Sequence, residues 1–378
     1  MSTFNLRQRT VLENASKVAV GFPLGARLER LHNGGRFPLV EDPRSSRRAL
    51  LLGMMVLRPA LEPWAPASLE TDAVAAIRGA RALCFDVAGL GGSWPISAGN
   101  AVDAYRLALQ YGIVDAVLAG ASTVAREGSR VGAVGVGHLW QPYAPLSWPA
   151  LRESRAELEP AIAELRMEYQ RQGFLSARRY PAQIVVTRGG PSSDPHDRVL
   201  DARFFRERHP DGSAMEAWIL TSEAGEDRLR ERARSRGLQL DERLLVCSPP
   251  GQPEEIDAAR VPELLRERLD ARLVEHDGGA VSLAAFLDAG AISQLHLTLM
   301  RGRSVRQILE SSTRLDEGER RTIIAELAGR ARLFPNSDGR IPTDWGVVQV
   351  VVEEGPDAEA VVVCLDVRAR AGHVAALA

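Results

Sequence analysis

From about residue 82 onward the chain repeats one pattern, a short apolar run followed by a stretch with apolar residues at i, i+3 and i+4 spacing. The runs fall at 82–87, 115–119, 183–187, 217–221, 243–247, 272–275 and 294–300, and clear amphipathic stretches at 101–111, 226–236, 261–269 and 283–289. Parallel strands need long crossover connections, usually helices, and this alternation supplies them. The expected architecture is therefore α/β, a mostly parallel central sheet with helices on both faces. Two β-branched runs at 347–353 and 360–367, separated by Glu354, Gly355, Pro356 and Asp357, predict a closing C-terminal antiparallel hairpin.

The first eighty residues lack this rhythm and are broken by Gly21, Pro23, Gly34, Gly35, Pro38, Pro43, Pro59, Pro63 and Pro66. They are expected to form an extension, 1–80, packing on a main domain of 81–378, with one helix over 45–57. Residues 131–160 look like an insertion. The Glu, Arg and Leu spacing of 147–173 predicts a long, exposed helix that starts after Pro149 and is interrupted near Pro160.

Composition narrows the functional classes. Hydrophobic residues at 45% and charged residues at 25% exclude a disordered or collagen-like chain. A formal net charge of −2 gives no global field for polyanions, so nucleic acid is not an expected partner. The apolar stretch around 49–57 is about half a membrane span and is flanked by Arg47, Arg48 and Arg58, so no membrane association is expected. The first fifteen residues carry no secretory core, and Cys84, Cys247 and Cys364 stand singly without metal-type spacing, so a reducing cytoplasm and no metal site are expected. Lys17 is the sole lysine, so Schiff-base chemistry has one candidate only.

Several strand ends deliver small or polar residues to one edge of the expected sheet, where open α/β sheets bind ligands. The run at 115–124 leads from an apolar strand into Gly120, Ala121, Ser122 and Thr123, which suits either backbone approach to a phosphate or a plain capped turn. Residues 273–289 pass from strand through Asp277, Gly278 and Gly279 into a helix, with the same two readings. The loop 91–97 holds Trp94 between hydroxyls. Thr187 ends one strand and Thr221 with Ser222 another. His276, His138 and His296 are single histidines that suit backbone-bonded structural roles better than catalysis, and Arg301, Arg303 and Arg306 suit a solvated helix start better than a phosphate clamp.

Taken together, GGSWPIS at 91–97, DAVLAGASTVAREG at 115–128, PAQIVVTRGG at 181–190 and LVEHDGGAVSLAAFLDAGAISQLHLTL at 273–299 resemble the C-terminal reductase domain of the bacterial riboflavin-biosynthesis deaminase/reductase, a dihydrofolate reductase-like fold. The resemblance runs over about 82–300. It implies NADPH held by Gly120, Ala121, Thr123, Val124, Gly278 and Gly279, with Thr187 near the adenosine half and Thr221 and Ser222 close by. It further implies substrate contacts from Asp86, Ser93, Trp94 and Ser97, a catalytic Asp277, hydride transfer to a pyrimidine-like or related heterocyclic or imine small molecule, and a homodimer. No CxxC or HxE pair stands in for the zinc deaminase half. The chain departs from the family where Phe85 to Gly89 replace a Ser-Leu-Asp-Gly turn and where Asp277 replaces a glutamate. Those departures support an alternative, a protein that has kept the fold for a structural or regulatory role and lost the reaction.

Overall fold

The structure is a computed structural model that describes residues 7–13, 20–23, 36–63, 83–84, 100–121, 151–189, 199–200, 208–209, 211–240, 242–277, 279–311, 316–330, 345–354 and 360–368. Its strands are β1 Arg7–Glu13, β2 Val20–Pro23, β3 Arg36–Leu39, β4 Leu50–Pro59, β5 Leu83–Cys84, β6 Ala116–Gly120, β7 Ala182–Val186, β8 Ala217–Thr221, β9 Leu244–Val246, β10 Leu273–His276, β11 Ile292–Met300, β12 Gly346–Glu354 and β13 Ala360–Asp366. Its helices are α1 Ala101–Gly112, α2 Arg155–Arg171, α3 Glu223–Ser235, α4 Val261–Leu269, α5 Ala280–Asp288, α6 Val305–Glu310 and α7 Glu317–Arg330.

The main sheet runs β1-β12-β13-β11-β4-β10-β6-β7-β8-β9. The seven strands from β11 to β9 are mutually parallel. β13, β12 and β1 then add antiparallel strands at one side. Alternate residues of the parallel strands serve two cores. Leu50, Leu52, Val117, Ala119, Val185 and Ile219 pack with α1, α2 and α3. Leu51, Ala116, Leu118, Ile184, Leu220 and Val274 pack with α4 and α5. A mostly parallel sheet with helices on both faces and a terminal hairpin is thus the observed architecture.

The largest correction concerns the first eighty residues. The segment expected to be a helix over 45–57 is β4, a central strand lying between β11 and β10. An unbroken apolar run carries no period, so a strand buried on both faces reads like a buried helix. Gly53 sits there because a Cβ would stand 2.8 Å from Leu295 Cδ1 and 3.2 Å from Leu283 Cδ1. Residues 7–13 also join the sheet, as β1 against β12. The sheet therefore does not begin at residue 81, and the 1–80 extension is corrected for both segments. Of the run 82–87, expected as the first core strand, the described residues are Leu83 and Cys84, which form β5 antiparallel to the end of β4.

α2 corrects a second reading. It is continuous through Pro160, which lies on the exposed side of the helix, where the carbonyl its ring leaves unbonded can meet water. Its other side buries Leu158, Ile162, Leu165 and Tyr169 in the α1 core, so α2 is not an exposed helix. Arg166 binds it in place, donating from Nη1 to the Gly112 and Val114 carbonyls at 2.8 and 2.7 Å. Residues 151–160 thus include core positions, and the remainder of the expected insertion lies outside the described residues.

Asp115, just before β6, fixes the register at the amino end of the sheet. Its fully buried carboxylate accepts from Ser176 N and Oγ at 2.8 and 2.7 Å and from Arg272 N and Leu273 N at 2.7 and 3.3 Å. One side chain joins β6, the segment after α2 and the start of β10. Among the described residues no helix is long and apolar enough to cross a membrane, and no cluster of His, Cys, Asp and Glu is arranged for a metal ion.

Candidate functional site

Four adjacent parallel strands, β10, β6, β7 and β8, end at nearly the same level. Their carboxyl ends present Asp277, Gly120 with Ala121, Thr187, and Thr221 with Ser222. At about 4.8 Å per strand this edge is roughly 14 Å wide, enough for an extended dinucleotide. Asp277 N donates to Leu118 O at 2.9 Å, which ties the turn after β10 to β6.

Two helices start along this edge, and their N-termini differ. In α3 the first four N–H groups are all bonded: Glu223 N to Ser248 Oγ, Ala224 N to Pro253 O, Gly225 N to Ser222 Oγ and Glu226 N to Ser222 O. Glu223 and Glu226 add negative charge to that turn. The backbone after β7 closes over it, since a Cβ on Gly225 would stand 2.8 Å from Arg188 O and one on Gly189 2.9 Å from Gly225 O. Arg228 fixes the closure by donating to the Gly189 carbonyl at 2.5 Å and to the Arg188 carbonyl at 2.8 Å. The N-terminus of α3 is therefore filled by the protein itself. In α5 the N-cap is Gly279, no side chain caps it, and the first turn holds no acid. That end suits an anion by the partial positive charge of a helix N-terminus.

Thr187, Thr221 and Ser222 are buried. Thr187 Oγ1 accepts from Gly189 N at 3.0 Å, and Ser222 caps α3, so two of these hydroxyls organise the turn that closes α3. Gly120, Ala121, Asp277 and Gly279 come together at the ends of the neighbouring strands β6 and β10. Thr123, Val124, Gly278, Asp86, Ser93, Trp94 and Ser97 lie outside the described residues.

Beneath Asp277 the structure holds a polar layer that sequence reasoning missed. The Tyr111 hydroxyl, on α1, donates to Asp277 Oδ2. Glu275, two residues earlier on the same side of β10, is fully buried, and neither carboxyl oxygen has a hydrogen-bond partner. Burial, and then the Asp277 charge, push its pKa well above the ordinary glutamate value. Asp103, in the first turn of α1, is raised to about 7 by burial and by Asp277, against the opposing charges of Arg106 and Arg58. Arg106 is itself buried and lowered to about 10 by desolvation, while Arg58 Nη1 donates to the Arg303 carbonyl at 2.8 Å. A signal was present. Asp103, Arg106 and Gln110 recur at i, i+3 and i+7, a polar stripe on a helix whose flanks are apolar. Such a stripe ordinarily faces water, whereas all three side chains here are buried.

The histidines take the structural roles expected of them. His276 faces away from this layer, with Nε2 3.1 Å from Ser282 Oγ and its ring tilted against Phe286, and burial lowers its pKa to about 4. His296 Nε2 lies 2.5 Å from Gln294 Nε2 inside the sheet. His138 lies outside the described residues. Exposed Arg306 pairs with Glu310 one turn on, while the buried Ser304 caps α6.

No family model and no curated protein matches the chain. Among solved structures it is similar to a pyrimidine reductase-like protein from Corynebacterium diphtheriae, at 14% identity and a TM-score of 0.41, covering 84% of this chain and 91% of that one. It is also similar to the riboflavin biosynthesis reductase Rib7 of Saccharomyces cerevisiae, at 9% identity and a TM-score of 0.37 over 85% and 91% of the two chains. For RibD of Acinetobacter baumannii the identity is 11% and the TM-score 0.35, over 85% of this chain and 58% of that one. Likenesses this distant add nothing to the architecture, which rests on the strand order itself.

Proposed function

We propose that this chain is an NADPH-dependent reductase of a pyrimidine-like or related heterocyclic or imine small molecule, a divergent relative of the riboflavin-pathway reductase domain. Four sequence motifs in order support the reading, and so does a mostly parallel sheet with the closing hairpin that the resemblance implies. The observation that carries it is the contrast between the two helix N-termini at the carboxyl edge. α3's is filled by Ser222, Ser248 and Pro253, and α5's is uncapped behind Asp277 and Gly279.

On this reading the pyrophosphate lies at the start of α5, against backbone from Gly278 and Gly279, with Gly120 and Ala121 allowing close approach from β6. Thr123 and Val124 complete that contact. Thr187, Thr221 and Ser222 support the adenosine end by shaping the turn over α3. Asp86, Ser93, Trp94 and Ser97 remain the proposed substrate end. A bound dihydronicotinamide supplies hydride to a substrate carbon, and the protein orients the two and provides Asp277 as the polar group nearest the reaction. A homodimer in a reducing cytoplasm belongs to the same reading.

Calorimetric titration with NADPH tests it, with Gly279→Trp as the control for the groove. Binding on the order of micromolar that the folded variant lacks is the expected result. A folded wild-type protein that ignores millimolar NADPH would leave a reductase-like fold without reductase chemistry.

A further inference from the structure

Reduction of a C=N or C=O group needs a proton as well as a hydride, and the hydrogen bonds of the site leave a whole carboxyl group unexplained. Glu275 is sealed inside the sheet with neither oxygen bonded to anything. In register it lies level with Leu52 of β4 and Val117 of β6, both members of the α1-side core. It therefore faces α1, as Asp277 does through Tyr111. Strand geometry sets the two carboxyl-bearing residues about 6.6 Å apart along one side of β10. The same space receives Asp103 and Arg106 from α1, Arg58 from β4, His296 from β11 and Cys364 from β13. A carboxyl without any partner is not a packing device, because an apolar side chain of the same shape would sit there more favourably.

We propose that Glu275 and Asp277 form a proton-sharing carboxyl pair, in which Glu275 is a positioning residue that stores the proton consumed by the reduction and Asp277, half-buried at the end of β10, delivers it. This rests on the reductase reading above. A bound dihydronicotinamide would supply the hydride for the new C–H bond, the C=N or C=O electron pair moving to the heteroatom. Glu275 passes its proton to the Asp277 carboxylate, and the Asp277 O–H bond so formed breaks as the N–H or O–H bond forms. The pair then recovers one proton from solvent at the Asp277 end. Burial and the neighbouring Asp277 charge both favour the protonated form of Glu275, so the deeper member carries the proton at rest.

Infrared spectroscopy of the full-length protein reads the pair directly, through the carbonyl stretch of a protonated carboxylic acid. Because buried Asp103 also carries a proton near pH 7, the spectra are taken in an Asp103→Asn background, where the protein with Glu275 should show such a band at pH 7 and Glu275→Gln should lose it. In Asp277→Asn the band should titrate away at a pH lower by about one unit, a tenfold loss of proton affinity, because the neighbouring charge is gone. Tyr111→Phe keeps both carboxyls and removes the donor that stabilises the Asp277 charge, so there the midpoint should move upward. If Glu275→Gln leaves the band intact, or if the midpoint is the same with Asp277 and Tyr111 intact as in Asp277→Asn and Tyr111→Phe, the pair does not exist. NADPH titration fails or succeeds independently of these spectra. A normal band with no NADPH binding refutes the reductase reading, and NADPH binding without the band refutes the pair.

Discussion

Replacing Glu275 by glutamine should make the protein more stable at neutral pH, and by an amount that grows with pH. In the folded chain this carboxyl stays protonated far above the ordinary glutamate value of 4.5, whereas in the unfolded chain it ionises near that value. A raised folded-state pKa contributes stability that is complete below the unfolded pKa and is lost as pH rises towards the folded one. Each pH unit between 4.5 and the folded-state value therefore removes about 1.4 kcal/mol from the wild type. Glutamine has nearly the shape of the protonated acid and no such dependence. Its own burial shifts the whole curve by a constant, so the slope is the diagnostic quantity.

Denaturant or thermal unfolding of both proteins at half-unit intervals from pH 4.5 to 7.5 measures it. For a chain of 378 residues, the roughly 1.4 kcal/mol per pH unit corresponds to about 2 °C in Tm, from an unfolding entropy of about 2.1 cal/mol/K per residue. The two proteins should coincide in pH dependence near pH 4.5 and diverge steadily above it. Parallel curves across the range would mean that Glu275 ionises normally in the folded state, and the reasoning about its burial would fail with them.

Other consequences follow from particular contacts. Asp115→Ala should destabilise by about 3–5 kcal/mol, since it strips four buried hydrogen bonds from Ser176, Arg272 and Leu273, and a conserved midpoint in denaturant would contradict the knot assigned to it. Gly225→Ala should destabilise by about 3 kcal/mol, because the added methyl meets Thr221 Oγ1 and the Arg188 carbonyl, while Gly237→Ala, whose surroundings are open, should cost only the strain of its positive φ. His276→Gln should flatten the acid limb of the stability curve. A histidine depressed to about 4 stabilises above 6.5 and loses that contribution as pH falls through 4, a change of about 3 kcal/mol that the variant should lack.

Much of the fold was legible because its strands and helices obey different periods. Eight of the nine runs expected as strands, all but 82–87, became strands within two residues of their expected limits. β4 was misread because a strand with neighbours on both sides and cores on both faces has no polar residue to mark its period until Arg58. The Pro160 interruption was wrong for a different reason. Proline removes a hydrogen bond, but on the outer side of α2 the freed carbonyl can be solvated. Of the expected site, Gly120, Ala121, Asp277 and Gly279 gather at one place, while Ser222 is taken up in capping α3 and Thr187 in the turn that closes over it.

The polar layer under α1 explains why residues of the same chemistry meant different things along this chain. Asp115, Asp103 and Glu275 are all buried acids, yet their surroundings separate them. Asp115 is surrounded by donors, and its role is finished once β6, β10 and the end of α2 are joined. Glu275 has no donor at all, and Asp103 has Arg58 and Arg106 near it but still rises to about 7. An acid that folding alone required would be expected to resemble Asp115. The two that do not resemble it both feel the charge of Asp277, at the sheet edge where α5 starts without a side-chain cap. Asp103→Asn should therefore behave like Glu275→Gln, gaining stability as pH rises from about 4 to 7, whereas a neutral replacement at Asp115 should destabilise by breaking its hydrogen bonds to Ser176, Arg272 and Leu273. Opposite outcomes for these acids would separate groups retained for chemistry from one retained for structure, without knowledge of the substrate.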